Sequence, residues 1–310
     1  MQTSEIVKNI YDKTFNKKSS NIKIEKLSGG LKNHVYLIND NENKMVLKIA
    51  PTDENKMITV DRNILWWEKE MLELMKKINI PAPELIKYND EKEIHPSPYI
   101  FMSYIEGINY QKEKAKLSHE DQEKIEFEMG RLSSEICKIK SNSFFLPHDK
   151  NKNFQNNYDF VNYLFDKLLD NAKESNVKLG KDYDEVRNLI LQKKDFLNNI
   201  SSICLTHTDI WNGNVLINNK KLVGIIDFAD LYFCDYLMTF YFHPIDSETS
   251  KDFLKGFNKQ TLTKDENIRI EIYKMYTILK MIVDCKLKEY GKFPWMYEKF
   301  DSIYKRVRKL

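Results

Sequence analysis

The chain has 310 residues, of which 42% are apolar and 31% charged, a balance that fits a folded globular protein and excludes a disordered one. Its 49 basic and 46 acidic residues leave a formal charge of +3, too little to favour nucleic acid or an anionic membrane.

Apolar positions at Ile6, Ile10, Tyr11 and Phe15 predict a short amphipathic helix over residues 4–16. Three β-like runs follow, "IKIEKL", "HVYLI" and "KMVLKIA", and the turn-rich "SGGLKN" and "NDNEN" between them signal hairpins. "ILWWEKEMLELMKKI" has helical spacing and stops at the prolines of "NIPAPELI". "SPYIFMSYIEG" reads as one more strand leading into a loop. From Ser118 on the periodicity is mostly helical: 119–140, 155–172, 182–200 and several segments from 232 to the end, with a small β insertion at 203–228. The Asn-rich "FFLPHDKNKNFQNNYD" reads as a loop. The expectation is an α+β chain with a small β-rich N-terminal lobe, 1–105, and a larger mainly helical C-terminal lobe, 106–310.

Four scattered cysteines, Cys137, Cys204, Cys234 and Cys285, with no C-x-x-C pair, argue against a zinc site or a disulfide framework. No apolar run approaches the roughly 18 residues of a membrane span, and the start "MQTSEIVKNIYDKTF" has no apolar signal core. A cytoplasmic location is expected, without membrane or nucleic-acid partners.

The chemistry concentrates in "THTDIWNGNVLINNKKLVGIIDFAD", residues 206–230. "VLI-NNKK-LVGIID" is a hairpin pattern, and a turn centred on Lys220 and Lys221 sets Asn214 opposite Asp227. Directly opposed residues hold their Cβ atoms roughly 4.5–5.5 Å apart. An amide and a carboxylate so placed can grip a Mg²⁺ ion, whose oxygen ligands lie at about 2.0–2.1 Å. Asp209, on the approach loop, would lie beside that ion as a general base. The spacing His207-x-Asp209-x-x-x-x-Asn214, followed by Asp227-Phe228-Ala229, also fits the catalytic loop and metal-binding triplet of phosphoryl-transfer kinases. His207 reads as a packed residue that orients the loop.

These motifs, together with "LSGGLKNHVYLI", "MVLKI", "EKEMLELMKKINIPAPELI" and "YIFMSYIEG", resemble the aminoglycoside phosphotransferase and choline kinase-like small-molecule kinases across most of the chain. The resemblance implies a bilobal protein-kinase-like fold that moves the γ-phosphoryl group of ATP or GTP to a hydroxyl, with Mg²⁺. It implies that Gly29, Gly30 and Asn33 form the nucleotide loop and that Lys48 positions the α and β phosphates. Lys48 would pair with Glu68, with Glu70 as runner-up on the same helix. It further implies that Ser103 and Ile105 offer backbone groups to the nucleobase, Asp209 acts as base, and Asn214 and Asp227 hold the metal. Two departures stand out: Thr208 replaces a usual glycine, and of a downstream Gly-Asp-Pro only Asp235 is retained.

A protein kinase is disfavoured, because no long activation segment and no Ala-Pro-Glu follow Asp227. An aminoglycoside is the expected acceptor. It is a polycation that acids such as Asp230, Asp246, Glu248, Asp265, Glu266 and Glu271 could line. Choline, an amino sugar or a similar alcohol is the alternative, for which Trp211, Tyr232, Tyr236, Tyr241 and Trp295 could form an aromatic cage, although each is more readily a core residue. An inactive nucleotide-binding module is a remoter reading, and a monomer is expected.

Overall fold

Short strands of alternating character fold the first part of the chain into one antiparallel sheet. The computed structural model describes residues 3–18, 22–27, 32–41, 43–62, 64–147, 149 and 151–310. Helix α1 (Thr3–Phe15) precedes β1 (Lys23–Lys26), β2 (His34–Asn39) and β3 (Lys44–Ile49), which pair in succession. After α2 (Leu65–Lys77) come β4 (Leu85–Asn89) and β5 (Tyr99–Ser103), and the sheet order is β1-β2-β3-β5-β4.

The pleat sorts the side chains of this sheet. Tyr36, Ile38, Leu47, Ile49, Tyr99 and Phe101 turn to one face, where Val7, Ile10 and Tyr11 of α1 cover them. Val46, Ile100 and Met102 turn the other way and join the core that α2 enters through Leu65, Met71 and Leu72. Lys48 alternates with Leu47 and Ile49 and opposes Ile100, so it lies on the α2 side.

The rest of the chain is mainly helical. It runs through β6 (Ile108–Asn109), α3 (Tyr110–Glu113), α4 (His119–Ile136), β7 (Lys140–Ser141), β8 (Phe144–Phe145) and β9 (Asn153–Phe154). Next come α5 (Asn157–Glu174), α6 (Tyr183–Gln192), α7 (Lys194–Asn198), β10 (Ile203–His207), β11 (Val215–Asn218), β12 (Lys221–Ile225) and β13 (Leu231–Cys234). Helices α8 (Lys251–Gly256), α9 (Lys264–Leu287) and α10 (Pro294–Lys309) close the chain. The strands form two small sheets, β7-β10-β13-β8-β9 and β12-β11-β6.

Two sequence expectations change here. Residues from 232 do not begin a helix: Leu231–Cys234 is a strand paired with β10, Cys234 facing Cys204, and 3-10 turns follow at Tyr236–Met238 and Phe240–Phe242. The run is nearly all buried, so it lacks the alternation that marks a half-exposed strand. The Asn-rich stretch after Phe144 is not simply a loop, because β8 and β9 pair within it and Phe154 is buried.

Helices α4 and α8 meet backbone to backbone. A Cβ at Gly130 would overlap the carbonyl oxygen of Phe253, and one at Gly256 would overlap that of Phe127. Deeper in the core, Asp235 accepts from Arg269 Nε at 2.8 Å and from the Tyr273 hydroxyl at 2.9 Å. The two parts of the chain are also tied together: Trp67 of α2 donates its indole N–H to the Leu231 carbonyl of β13 at 2.7 Å.

Candidate active site

The loop after β10 is held from behind by its own histidine. His207 is buried, with Nε2 3.2 Å from the Ile226 carbonyl, while Nδ1 accepts the Asp209 backbone N–H at 3.3 Å. Burial pushes its pKa down, so the ring is neutral and bridges two strand ends. A 3-10 turn, Asn212–Asn214, then brings Asn214 back on Asp209: its Nδ2 donates to the Asp209 carbonyl at 2.8 Å and to Oδ2 at 2.9 Å. The amide nitrogen is thereby committed, which leaves the amide oxygen as the atom able to ligate a cation.

The hairpin register differs from the sequence expectation. The turn centres on Asn219 and Lys220, both with left-handed φ (47° and 63°), as a two-residue primed turn requires. A bulge after Leu216 shifts the ladder once more, and the Ile226 N–H, not Asp227, bonds the Asn214 carbonyl at 2.9 Å. Asp227 itself takes φ 70°, a conformation rare outside glycine, at the point where the strand turns into the 3-10 segment Phe228–Asp230. Asn214 and Asp227 therefore do not face one another as a strand pair. Both approach Asp209 instead.

Lys48 reaches across from the first sheet. Its Nζ lies 2.5 Å from Glu68 Oε1 and 2.8 Å from Asp227 Oδ1. Burial lowers its pKa, but Asp227 and then Glu68 outweigh that and hold the ammonium well above its ordinary value. Asp227 is disfavoured as an anion by burial, yet Lys48 keeps it below the usual carboxylate range. Glu70 points elsewhere and pairs with the adjacent Lys69.

A second group of charges adjoins the first. Lys32 Nζ lies 2.5 Å from Asp230 and 3.2 Å from Asp61; Lys280 Nζ lies 3.0 Å from Asp61 and 3.7 Å from Asp230. The four alternate in sign around a ring drawn from the loop before β2, the 3-10 turn Thr59–Asp61, the Phe228–Asp230 turn and α9. Oxygens of Asp209, Asp227 and Asp230 lie within 4.8 Å of one another. Burial, and next the charge of Asp230, push Asp209 up to about 7. Three carboxylates and an amide oxygen make an all-oxygen donor set, which fits a hard divalent cation such as Mg²⁺.

The other expected positions are dispersed. Gly29 and Gly30 fall outside the described residues. Asn33 precedes β2 and is partly buried. Ser103 ends β5, where its amide donates to the Glu84 carbonyl at 2.8 Å and its hydroxyl accepts the Glu84 N–H. Ile105 lies beyond β5, its side chain against Gly224. The acids proposed for a polycation do not converge. Glu266 caps α9 at Thr263 and pairs with Lys259, Glu271 pairs with Arg306 and Lys274, Asp265 accepts from Asn199, and Asp246 is exposed. Tyr232, Tyr236 and Tyr241 are wholly or mostly buried, and Trp211 and Trp295 are part exposed. Sequence reasoning missed Lys32, Asp61 and Lys280 altogether, although Lys32 stands inside the quoted glycine loop.

A strand lysine clamped by a helix glutamate and a post-hairpin aspartate, beside a buried carboxyl near neutrality, belongs to the kinase-like phosphotransferases. The chain belongs to the phosphotransferase enzyme family, whose model matches residues 23–264, and it is a small-molecule phosphotransferase of that family. No curated protein sequence matches it. Among solved structures, a protein from Haemophilus somnus 129PT assigned as a fructosamine-3-kinase is 16% identical, with 97% of this chain and 96% of that one covered and a TM-score of 0.71. The aminoglycoside phosphotransferase APH(2'')-Ib, bound to ADP, is 18% identical, with 99% of each chain covered and a TM-score of 0.64. The aminoglycoside phosphotransferase APH(4)-Ia is 14% identical, with 98% and 99% covered and a TM-score of 0.66. Among the described residues no helix is long and apolar enough to cross a membrane.

Proposed function

We propose that the protein transfers the γ-phosphoryl group of ATP or GTP to a hydroxyl of a small, nitrogen-bearing sugar, with aminoglycosides the first class to examine. The observation that carries the phosphoryl-transfer reading is the Lys48 clamp, 2.5 Å from Glu68 and 2.8 Å from Asp227, with Asp209 alongside. Lys48 neutralises the α and β phosphates and Glu68 fixes its direction. Gly29, Gly30 and Asn33 cover the phosphates, while Ser103 and Ile105 meet the nucleobase. Asn214 and Asp227 would hold Mg²⁺, which would supply positive charge to offset the negative charge of the reacting phosphates. Asp209 orients the acceptor hydroxyl and takes its proton as the oxygen–phosphorus bond forms. A carboxyl with a pKa near 7 is suited to that exchange at neutral pH.

The acceptor class draws support from the solved neighbours, which include a complex of APH(4)-Ia with hygromycin B and AMP-PNP. A second reading, a metabolic alcohol or sugar acceptor of low charge, is favoured by one observation: Asp230 is spent on Lys32 and Lys280, while Glu266 and Glu271 pair with Lys259 and Arg306. A phosphotransfer screen over aminoglycosides, amino sugars and choline, read by mass spectrometry for one added phosphoryl group, separates the two. Failure of every acceptor, with no nucleotide bound by the purified protein, would sink the phosphotransferase reading for this chain.

A further inference from the structure

We propose that Lys32 is a catalytic cation that meets the γ-phosphoryl group as it transfers; this rests on the phosphotransferase reading above. Lys32 follows the two glycines of the nucleotide loop, and its ammonium crosses to Asp230, a residue 198 positions away. Its distances to the two Asp230 oxygens are 2.5 and 2.7 Å, and Asp230 shares a 4.8 Å neighbourhood with Asp209 and Asp227. The ammonium is thus no more than about 7.5 Å from one carboxylate oxygen of Asp209 and one of Asp227. Lys48 already pairs with Asp227, and Glu68 pins it there. Each lysine thus pairs with one carboxylate of this cluster, Lys48 with Asp227 and Lys32 with Asp230, so both charges stand beside the place where the transferring group would sit.

The chemistry calls for a charge there. As the acceptor oxygen bonds to the γ-phosphorus, the bond from that phosphorus to the β–γ bridging oxygen breaks. The proton passes to Asp209, and the diphosphate leaves with the bonding electron pair. In between, negative charge spreads over the three equatorial oxygens. A cation aimed at those oxygens acts where charge develops, so it lowers the barrier without tightening ground-state binding. Lysine suits the role as a compact point charge on a flexible stem. Lys280 cannot substitute, because it projects from the buried helix α9 and is held at 3.0 Å by Asp61. Within the ring Lys32 is paired, and Asp61 keeps its 3.0 Å contact with Lys280 when Lys32 turns away.

The test uses the full chain with Mg²⁺ and measures affinity for ADP alone and for ADP with aluminium fluoride, a mimic of the transferring phosphoryl group. Lys32→Met should keep ADP affinity within a few-fold and lose roughly 10²–10³-fold of the aluminium-fluoride enhancement, the scale of one preorganised donor. The slow hydrolysis of ATP, with water as acceptor, should fall in kcat by a similar factor with little change in KM. Lys32→Arg should restore part of both. Lys280→Met reports what the ion ring alone is worth, since it breaks the same ring from the other side. An enhancement unchanged in Lys32→Met, or a loss matched by Lys280→Met and by a fall in ADP affinity, overturns the proposal and leaves Lys32 a structural ion. Wild-type protein that binds no ADP at all overturns the phosphotransferase reading, and this inference with it.

Discussion

Asp209→Asn should make the protein more stable while removing most of its activity. The carboxyl is pushed to about 7 by burial and by the neighbouring charge of Asp230, against 3.8 for a free side chain. Below about pH 4 the group is protonated in folded and unfolded chains alike and costs nothing. Between about 4 and 7 only the folded chain keeps the proton, so stability falls as pH rises. Above 7 the folded chain carries the full burden of a poorly solvated anion, up to about 4 kcal/mol for a shift of some three pH units. Asparagine has nearly the same shape and no charge. In metal-free protein the melting temperature of the variant should therefore exceed the wild type by several degrees at pH 8 and by well under half as much at pH 5. Scanning calorimetry with a chelator present measures that gap. A gap equal at the two pH values would refute the reasoning, because an uncharged steric effect has no such dependence. In the same variant phosphotransfer should drop by about 10²–10⁴-fold, the usual contribution of a general base.

Asp227→Ala should abolish Mg²⁺-dependent nucleotide binding in calorimetry, whereas Asn214→Ala should only weaken it and raise the Mg²⁺ requirement, since the carboxylate carries the charge. Gly130→Ala and Gly256→Ala each drive a methyl into a backbone carbonyl that has no rotamer to escape by, so each should cost about 1–3 kcal/mol or more in urea unfolding. Buried His243, whose pKa burial lowers from 6.5 to about 4, stays neutral in the fold, so stability is full above pH 6.5 and is lost as pH falls toward 4. That loss amounts to about 3 kcal/mol and should shrink in His243→Gln, as chemical denaturation at pH 7 and 4.5 would reveal.

The strands around Lys48 were legible because alternation and turn residues agree locally: Leu47 and Ile49 mark one face, which leaves Lys48 on the other. Glu68 came from the resemblance, with Glu70 left open on the same helix; the fold decides between them, because Glu68 lies in the buried row with Leu65 and Leu72. The second sheet was harder. Leu231–Cys234 is buried in every residue but one and carries no period, and the β8–β9 pair is two residues deep within polar sequence. The hairpin register missed because the turn centres on Asn219 and Lys220, one residue earlier than the polar run suggests, and the bulge after Leu216 recovers only one of the two positions so lost. The ring of Lys32, Asp61, Asp230 and Lys280 had no local signature at all. Its members are ordinary charges until folding sets them side by side.

The bond from Trp67 to Leu231 bears on how such an enzyme can be controlled. In many kinases the glutamate helix swings, and the lysine–glutamate pair forms only on command. Here α2 is tied by the Trp67 indole to the strand that follows the Phe228–Asp230 turn, and Lys48 and Glu68 lie 2.5 Å apart. A helix fastened in this way has to break that buried bond before it can swing, so moving it would cost an indole–carbonyl hydrogen bond as well as the ion pair.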